Sequence, residues 1–472
     1  MSGTVTIFWF RRDLRLRDNP ALHEALRSSN GQVLALFILD DEFLAPSGPS
    51  RAAYLRRTLE ALDASLGGSL VVRRGEPAAV LTELARESGA RAVVATKDFG
   101  PRGRARDERV ATMLTSDGVS VSFLDSPYVV APGTVRTAAG SGCLVFGAFK
   151  RGWQRQVIPE PVDAPRAVRW VRASSTSLDE LDDFAARARP YYFGDLPDGP
   201  ALRPSSAGED AAWIHLARFV ERARDYEVTR DVPGLDATSR LSPFLRFGAL
   251  HPRQVLDAVR GVTASEEKFR DEVCWREFYA DVLFHHPESA WRTFQPSMRA
   301  LRVDSGPEAE ERFRSWARGE TGYPFVDAGM RQLLDEGWMH NRVRMVAASF
   351  LVKHLHLDWR WGAKWFMWRL VDADLASNQH GWQWAAGTGT DAAPFHRVFN
   401  PTLQAKRFDP EGTYVHRYVE ELRSTPAPAC LEPGAGASLF ASSYPAAMVD
   451  ANEERLEALR RFAESRASVA RQ

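Results

Sequence analysis

Four groups of residues have the types and spacing to hold a flat heterocycle or a phosphate. Glu272, Trp275 and Tyr279, with Arg276 beside them, recur at spacings of three and four. A helix would put the carboxylate and both rings on one face. A carboxylate so placed can hydrogen-bond a heterocycle while the indole stacks on it, although a core aromatic beside a surface acid fits the same pattern. In WMHNRVRM (338–345), Asn341 and Met345 share a helical face, with Arg342 and Arg344 alongside. A buried amide there needs a partner, and a purely structural asparagine would also satisfy the pattern. DADLASNQHGWQWAAGTGTDAAPFHRVFNP (372–401) brings Asp372, Ala373, Asp374 and Asn378 ahead of Trp382 and Trp384. Asp372 can pair with Arg344, and a buried pair of that kind positions more than it stabilises. His380 is not at a familiar ligand spacing, so no metal site is expected. Finally, Tyr226 and Arg230 lead into TSRLSPFLRFG (238–248). There Thr238, Ser239, Leu241 and Ser242 gather hydroxyls and backbone N–H groups near a helix start, with Arg240 adding charge. That is a phosphate cradle, or equally an ordinary helix cap.

The elements that must position these residues fall into two classes. The first 125 residues alternate short β-branched runs (5–10, 33–39, 70–73, 92–96, 119–123) with helical stretches (51–66, 77–88, 104–115). This predicts a Rossmann-like α/β domain over 1–130 with a parallel, doubly wound sheet. No GxGxxG follows the first strand, so a conventional dinucleotide site is not expected there, although a crevice at the strands' carboxyl ends is. Residues 131–209 are Gly/Ser-rich, then proline- and charge-rich, and read as an interdomain connector. From 210 to 472 the period is helical: 211–225, 252–260, 266–284, 325–336, 343–355, 363–372 and, after a loop, 453–468. An all-α second domain is expected.

Composition bounds the rest. The 472 residues carry 61 basic and 61 acidic side chains, which excludes a wholly basic nucleic-acid sleeve but not a local basic groove. Six lysines against 55 arginines can reflect base composition alone. Ten of the 14 tryptophans fall between Trp275 and Trp384, which is where aromatic chemistry is expected. No run of 18 apolar residues and no signal peptide appear, and three scattered cysteines suit a reducing cytoplasm.

Taken in order, FWFRRDLRLRDNPAL (8–22), TSRLSPFLRFG, WREFYADVL (275–283), TGYPFVDAGMRQL (321–333), WMHNRVRM and the 372–401 segment resemble the photolyase/cryptochrome family, and within it the bacterial class I cyclobutane pyrimidine dimer photolyases. The resemblance implies an α/β antenna domain and a helical domain holding a bent FAD, active as FADH⁻. Tyr226 and Thr238–Ser242 would hold its phosphates and ribityl chain. Asp372 to Asp374 would lie against the flavin and adenine, with Arg344 on Asp372 and Asn378 facing flavin N5. The substrate implied is a pyrimidine dimer extruded from UV-damaged single- or double-stranded DNA, extrusion being a known property of photolyases. Glu272 would hydrogen-bond the dimer, and Trp275 and Trp384 would enclose it. Asn341 and Met345 would complete the pocket, with Arg276 and Tyr279 nearby. Arg230, Arg342 and Gln404 would touch the strand. A cytoplasmic monomer, associated with the nucleoid when bound to DNA, is expected.

Two departures qualify the resemblance. Trp382 and Trp359 match the inner members of the family's electron relay, but LRVDSGPEAE (301–310) lacks the third tryptophan. Photoreduction is therefore expected to be slow or to exit through another ring such as Trp361. Folate-binding relatives carry an Asn-Glu pair where this chain has Gly103-Arg104. KDFGPRGRARD (97–107) resembles deazaflavin binders instead, so 8-hydroxy-5-deazaflavin is expected as antenna, contacted by Arg11, Asp98 and Arg246. The alternatives are a cryptochrome-type photosensor, a 6-4 photolyase (which has a histidine pair where this chain has His340-Asn341) and a structural DNA-binding module.

Overall fold

The computed structural model describes residues 4–166, 168–187, 196, 201, 203, 205–391, 394, 397–434 and 443–469. Most of 188–204, at the end of the expected connector, lies outside the described residues, as do Ala392, Ala393, Phe395 and His396. The chain forms two compact units. One comprises Met1–Ala188, Ser205–Arg224 and Ser239–Pro287; the other comprises Arg189–Pro204, Asp225–Thr238 and Glu288–Gln472.

The first unit is built on a parallel sheet. Its strands are β1 (Thr6–Phe10), β2 (Gln32–Leu39), β3 (Val71–Arg74), β4 (Ala92–Thr96) and β5 (Ser120–Leu124), in the order β3-β2-β1-β4-β5. A sixth, β6 (Arg169–Trp170), pairs with the start of β2. β1 is buried along its length, as a central parallel strand must be, while the edge strand β5 alternates. Helices α1 (Pro20–Ser28), α2 (Pro49–Ser65), α3 (Pro77–Ser88) and α4 (Pro101–Ser116) each open on a proline, whose fixed φ suits the first turn and whose missing N–H would be unbonded there anyway. Ile7, Trp9, Leu34, Leu36 and Val93 of the sheet share one core with Leu81 of α3 and Val110 of α4.

The same unit continues with α5 (Phe146–Trp153), α6 (Asp179–Arg187), α7 (Glu209–Val220), α8 (Ser242–Phe247), α9 (Pro252–Ala258) and α10 (Ala264–His285). Residues 131–209 thus contain two helices and a strand where sequence suggested connecting chain. Phe146, Phe149 and Trp153 recur at helical spacing, but Gly/Ser-rich and charged neighbours obscure that signal. α10 starts at Thr263, whose hydroxyl accepts from Glu266 N at 3.2 Å. Two buried carboxylates then anchor it. Glu277 accepts from the N–H groups of Val129 and Val130 and from Trp153 Nε1 (2.7 Å), and Asp281 accepts from Gly133 N (2.7 Å).

The second unit is helical throughout its described residues: α11 (Pro307–Arg318), α12 (Pro324–Glu336), α13 (Asn341–Lys353), α14 (Trp359–Arg369), α15 (Leu375–Ala386), α16 (Pro401–Phe408), α17 (Thr413–Tyr418) and α18 (Ala451–Val469), with short 3-10 turns between. α12 is central, packed by α11, α13, α16 and α17, while α15 packs on α13 and α14. The buried Asp327 ties the start of α12 by accepting from Thr321 N, Thr321 Oγ1 and Gly322 N. α18 is held by the Arg461–Asp304 ion pair (2.6 Å) and by the hydrogen bond between His356 Nε2 and Glu454 Oε2 (2.6 Å). No helix among the described residues is long and apolar enough to cross a membrane, and no cluster of potential metal ligands occurs among them.

Candidate functional site

On α10, Glu272, Trp275 and Tyr279 lie along one half-buried stripe, while Glu277 and Phe278 face the interior. Trp275 and Tyr279 have ring centroids 5.5 Å apart. Arg276 turns to the protein instead. Its guanidinium donates to Pro127 O and Leu245 O and lies over the Tyr128 ring, which anchors α10 locally. Burial pushes the Glu277 carboxyl above its ordinary pKa, with Trp153 Nε1 and the two backbone donors opposing that rise.

In the second unit the facing helices α13 and α15 organise a different set. Arg344 Nη2 donates to Asp372 Oδ2 at 2.8 Å and its Nε to Met339 O at 2.8 Å, so the expected Arg344–Asp372 pair is present. Asp374 caps α15 by accepting from Ser377 N. Asn378 Nδ2 donates to Ala363 O (3.0 Å) and Gln379 Oε1 (2.8 Å). Both partners are acceptors, so the NH2 group must face them, which leaves Oδ1 as the amide's acceptor. Asn341 is exposed, and Met345, Trp384 and Gln404 are part-buried. Arg342 pairs with Asp231 through both Nε and Nη2 and lies 4.6 Å from the Phe408 centroid. Arg230 stands over Tyr226 at 5.2 Å.

A flat cofactor fits this face of α15. Gly381, one turn from Asn378, has open space where a Cβ would point. The buried Nε1 of Trp382, one residue further on, has no hydrogen-bond partner among the described residues. Asp372 places a carboxylate, its side chain 2% exposed, just before the helix.

The segment 238–248 crosses the division between units, with Thr238 in the second and Ser239–Ser242 in the first. Ser239 Oγ accepts from Leu241 N at 3.4 Å, and Arg240 adopts a left-handed φ of 49°. α8 ends at Gly248, φ 70°, where any Cβ would collide with the backbone at Arg12.

The sheet's order reverses between β1 and β4, the usual place for a ligand crevice. An ion network of protein side chains lies beside it. Arg11 donates to Asp107 and to Thr96 O, Arg106 bridges Asp98 (3.2 Å) and Asp107 (2.9 Å), and Asp13 accepts from Thr96 Oγ1 at 2.6 Å. Both arginines also lie over the Trp9 ring. Burial opposes the Asp98 charge, yet Arg106, Arg11 and Arg12 hold its pKa below the usual value. A Cβ at Gly103 would strike the Asp98 carboxylate, so an asparagine of the folate-binding pattern does not fit there. Of the residues expected to contact an antenna, Arg11 and Asp98 both belong to this ion network. Arg246 lies on α8 with its guanidinium 5.7 Å from the Phe247 ring.

Tryptophans of the second unit form a connected string. Trp382 packs on α14 at Gly362, where a Cβ would collide with its ring, and Trp359 is one turn earlier, bonded to Thr293 Oγ1. The fully buried Trp316 lies 6.0 Å from Trp382. Phe313 is 5.6 Å from Trp316 and 5.8 Å from the part-buried Trp361. Sequence reasoning picked out Trp359, Trp361 and Trp382 but not Trp316. Its signal was a tryptophan spaced three from Phe313 in an otherwise charged helix. Phe146 and Glu277 also went unrecognised.

Residues 6–166 match the family model described as DNA photolyase, and 269–464 match the FAD binding domain of DNA photolyase. The chain is 38% identical to a protein of Agrobacterium fabrum named deoxyribodipyrimidine photo-lyase, over 97% of each chain. The chain belongs to the photolyase/cryptochrome family. An Escherichia coli protein of the same name is 36% identical over 98% of this chain and 99% of its own. A bacterial class III photolyase structure from Agrobacterium tumefaciens superposes with a TM-score of 0.89 at 36% identity, covering 99% of this chain and 98% of that one. A Synechocystis cryptochrome gives 0.85 at 26% identity, covering 98% and 99%. The photolyase motifs therefore fall on both units. α10 carries Glu272, Trp275 and Tyr279 in the first, and α13 and α15 carry Asn341, Met345, Asn378, Trp382 and Trp384 in the second.

Proposed function

We propose that this protein is a deoxyribodipyrimidine photo-lyase that repairs cyclobutane pyrimidine dimers in DNA under blue light. The observation carrying the proposal is the α15 face, with Asn378 oriented by Ala363 and Gln379, open space at Gly381 and an unbonded Trp382 Nε1, in a chain whose relatives over nearly full length bear that name. FAD is the cofactor. Tyr226, Thr238, Ser239, Arg240, Leu241 and Ser242 are assigned to its phosphates and ribityl chain, and Arg344, Asp372, Ala373, Asp374 and Asn378 to its rings. When bound and reduced, FAD supplies the light-excited electron donor that opens the two inter-base bonds.

The chain's own residues supply position. Asn378 offers Oδ1 to an N–H of the heterocycle. Glu272 hydrogen-bonds the dimer, and Trp275 and Trp384 cap pyrimidine rings by stacking. Asn341 and Met345 line the substrate face of α13, while Arg230, Arg342 and Gln404 meet the strand. Arg276 and Tyr279 support Trp275. Trp382 and Trp359 are assigned to electron transfer, with Trp316 beside Trp382 and Trp361 as the candidate exit, the Phe313 ring serving only as packing between Trp316 and Trp361.

The motifs read as class I, whereas the similar Agrobacterium tumefaciens structure bears the name class III, so the class is assigned only to the level these share. 8-hydroxy-5-deazaflavin is the proposed antenna, with Arg11, Asp98 and Arg246 as its contacts, and the Asp98 carboxylate crowding Gly103 supports setting folate aside. The protein acts as a cytoplasmic monomer on DNA. A photosensor is the second reading, favoured by the likeness to the Synechocystis cryptochrome. The two separate on one test. Blue light should restore the 260 nm absorbance of a thymine-dimer oligonucleotide mixed with reduced, FAD-loaded protein, and no recovery would move the protein to the sensor class.

A further inference from the structure

The ring of Phe146, the first residue of α5, stacks on Trp275 with centroids 3.7 Å apart and planes 6° from parallel. Both rings stand edge-on to the buried Phe278, Phe146 at 5.9 Å and Trp275 at 5.6 Å. α5 itself is bolted to α10 by Lys150–Asp271 (2.5 Å), by Trp153 Nε1 on Glu277 and by Phe149 against Phe278. The phenyl ring is therefore a fixed cover on one π face of the indole, and any substrate ring must meet the opposite face.

That arrangement has a consequence for DNA. An aromatic side chain open on both faces can enter as a wedge between stacked bases of intact duplex. One with a face already covered can only cap a ring that has left the stack. We infer that Phe146 is a specificity-determining residue of the lesion site: by closing one face of Trp275 it limits the indole to capping extruded pyrimidines and so suppresses binding to undamaged DNA. This rests on the photolyase reading of Trp275. It also gives residues 131–153 a role in the site, because the turn ahead of α5 delivers the ring.

The test is a series at one position, Phe146→Tyr, Phe146→His and Phe146→Leu, with Trp275→Ala alongside. Two quantities are read: the ratio of affinities for a thymine-dimer oligonucleotide and its undamaged counterpart, and the ¹⁹F resonance of 5-fluorotryptophan at position 275, assigned by its loss in Trp275→Phe. A ring stacked in parallel shifts that resonance, so it should stay in place for Phe146→Tyr and move for Phe146→Leu. The affinity ratio should survive in Phe146→Tyr and fall about tenfold in Phe146→Leu, the scale of one base–aromatic stack. Phe146→His, a smaller ring, should fall between and keeps the comparison available if the leucine variant does not fold. A moved resonance with an unchanged ratio overturns the role of Phe146. An unchanged ratio in Trp275→Ala overturns the lesion-site reading itself.

Discussion

Glu272 and Asn378 are asked for one hydrogen bond each, and the structure prepares the two differently. Glu272 is half-buried on the α10 stripe, three residues before Trp275, where it is proposed to meet the dimer. A hydrogen bond to a charged group contributes about 1.5–3 kcal/mol, so Glu272→Ala should weaken dimer binding roughly 10- to 100-fold. Fluorescence anisotropy should show undamaged DNA unaffected, and equal losses on both would contradict a lesion-specific role. Asn378 is fixed in advance by Ala363 O and Gln379 Oε1, so its acceptor is aimed without reorganisation. Asn378→Ala should retain FAD but speed dark reoxidation of the reduced protein in air, followed by absorbance; an unchanged rate would remove Asn378 from the flavin. Both residues stand out in the sequence by spacing and motif, and the structure places them on helices as the period requires. Phe146 was not, because its meaning depends on a contact with a residue 129 positions later in the chain, which periodicity cannot reveal.

At the scale of elements, buried charge decides where helices end and how they respond to pH. The period predicted a helix over 363–372, but α14 runs Trp359–Arg369. Asp358 caps its start by accepting from Arg360 N at 2.9 Å, and Asp372 is drawn away to Arg344. Propensity rules see the first kind of signal and miss the second. β1 to β5 were legible to within a residue or two because β-branched runs bounded by turns leave little freedom, whereas the two-residue β6 was not. α5 was missed because glycines and charges dilute a three-point apolar stripe.

Lys353, at the end of α13, is buried against Phe462 and donates to Arg397 O, and burial pulls its ammonium down to about 8 from 10.5. Between those values the unfolded chain holds a proton that the folded one has lost, so stability rises with pH across that window. The penalty at neutral pH is of order 3 kcal/mol. Lys353→Met should flatten that rise in urea melts taken from pH 7.5 to 10.5; parallel curves for the two proteins would show that Lys353 is not the group responsible.

For the whole molecule, the two units divide the labour. At the switch point of the first unit's sheet Arg11, Arg106, Asp98 and Asp107 form an ion network, while α10 carries the stripe proposed to meet DNA. The second carries the α15 face proposed to hold FAD and the tryptophans proposed to feed it. With no tryptophan in 301–310, an electron is expected to pass from Trp361 to Trp316 and on to Trp382, Phe313 packing between the first two without itself being oxidised. Transient absorption on oxidised protein should show a long-lived tryptophan radical that Trp361→Phe and Trp316→Phe each remove. A radical indifferent to both would place the exit elsewhere.

Repair is the central claim, and its most direct test is an anaerobic assay of the reduced protein on two oligonucleotides, one with a cyclobutane thymine dimer and one with a 6-4 lesion, in blue light and in the dark. The account predicts light-dependent restoration of the cyclobutane dimer alone. Restoration of the 6-4 lesion, or of neither by protein with intact reduced FAD, would contradict it.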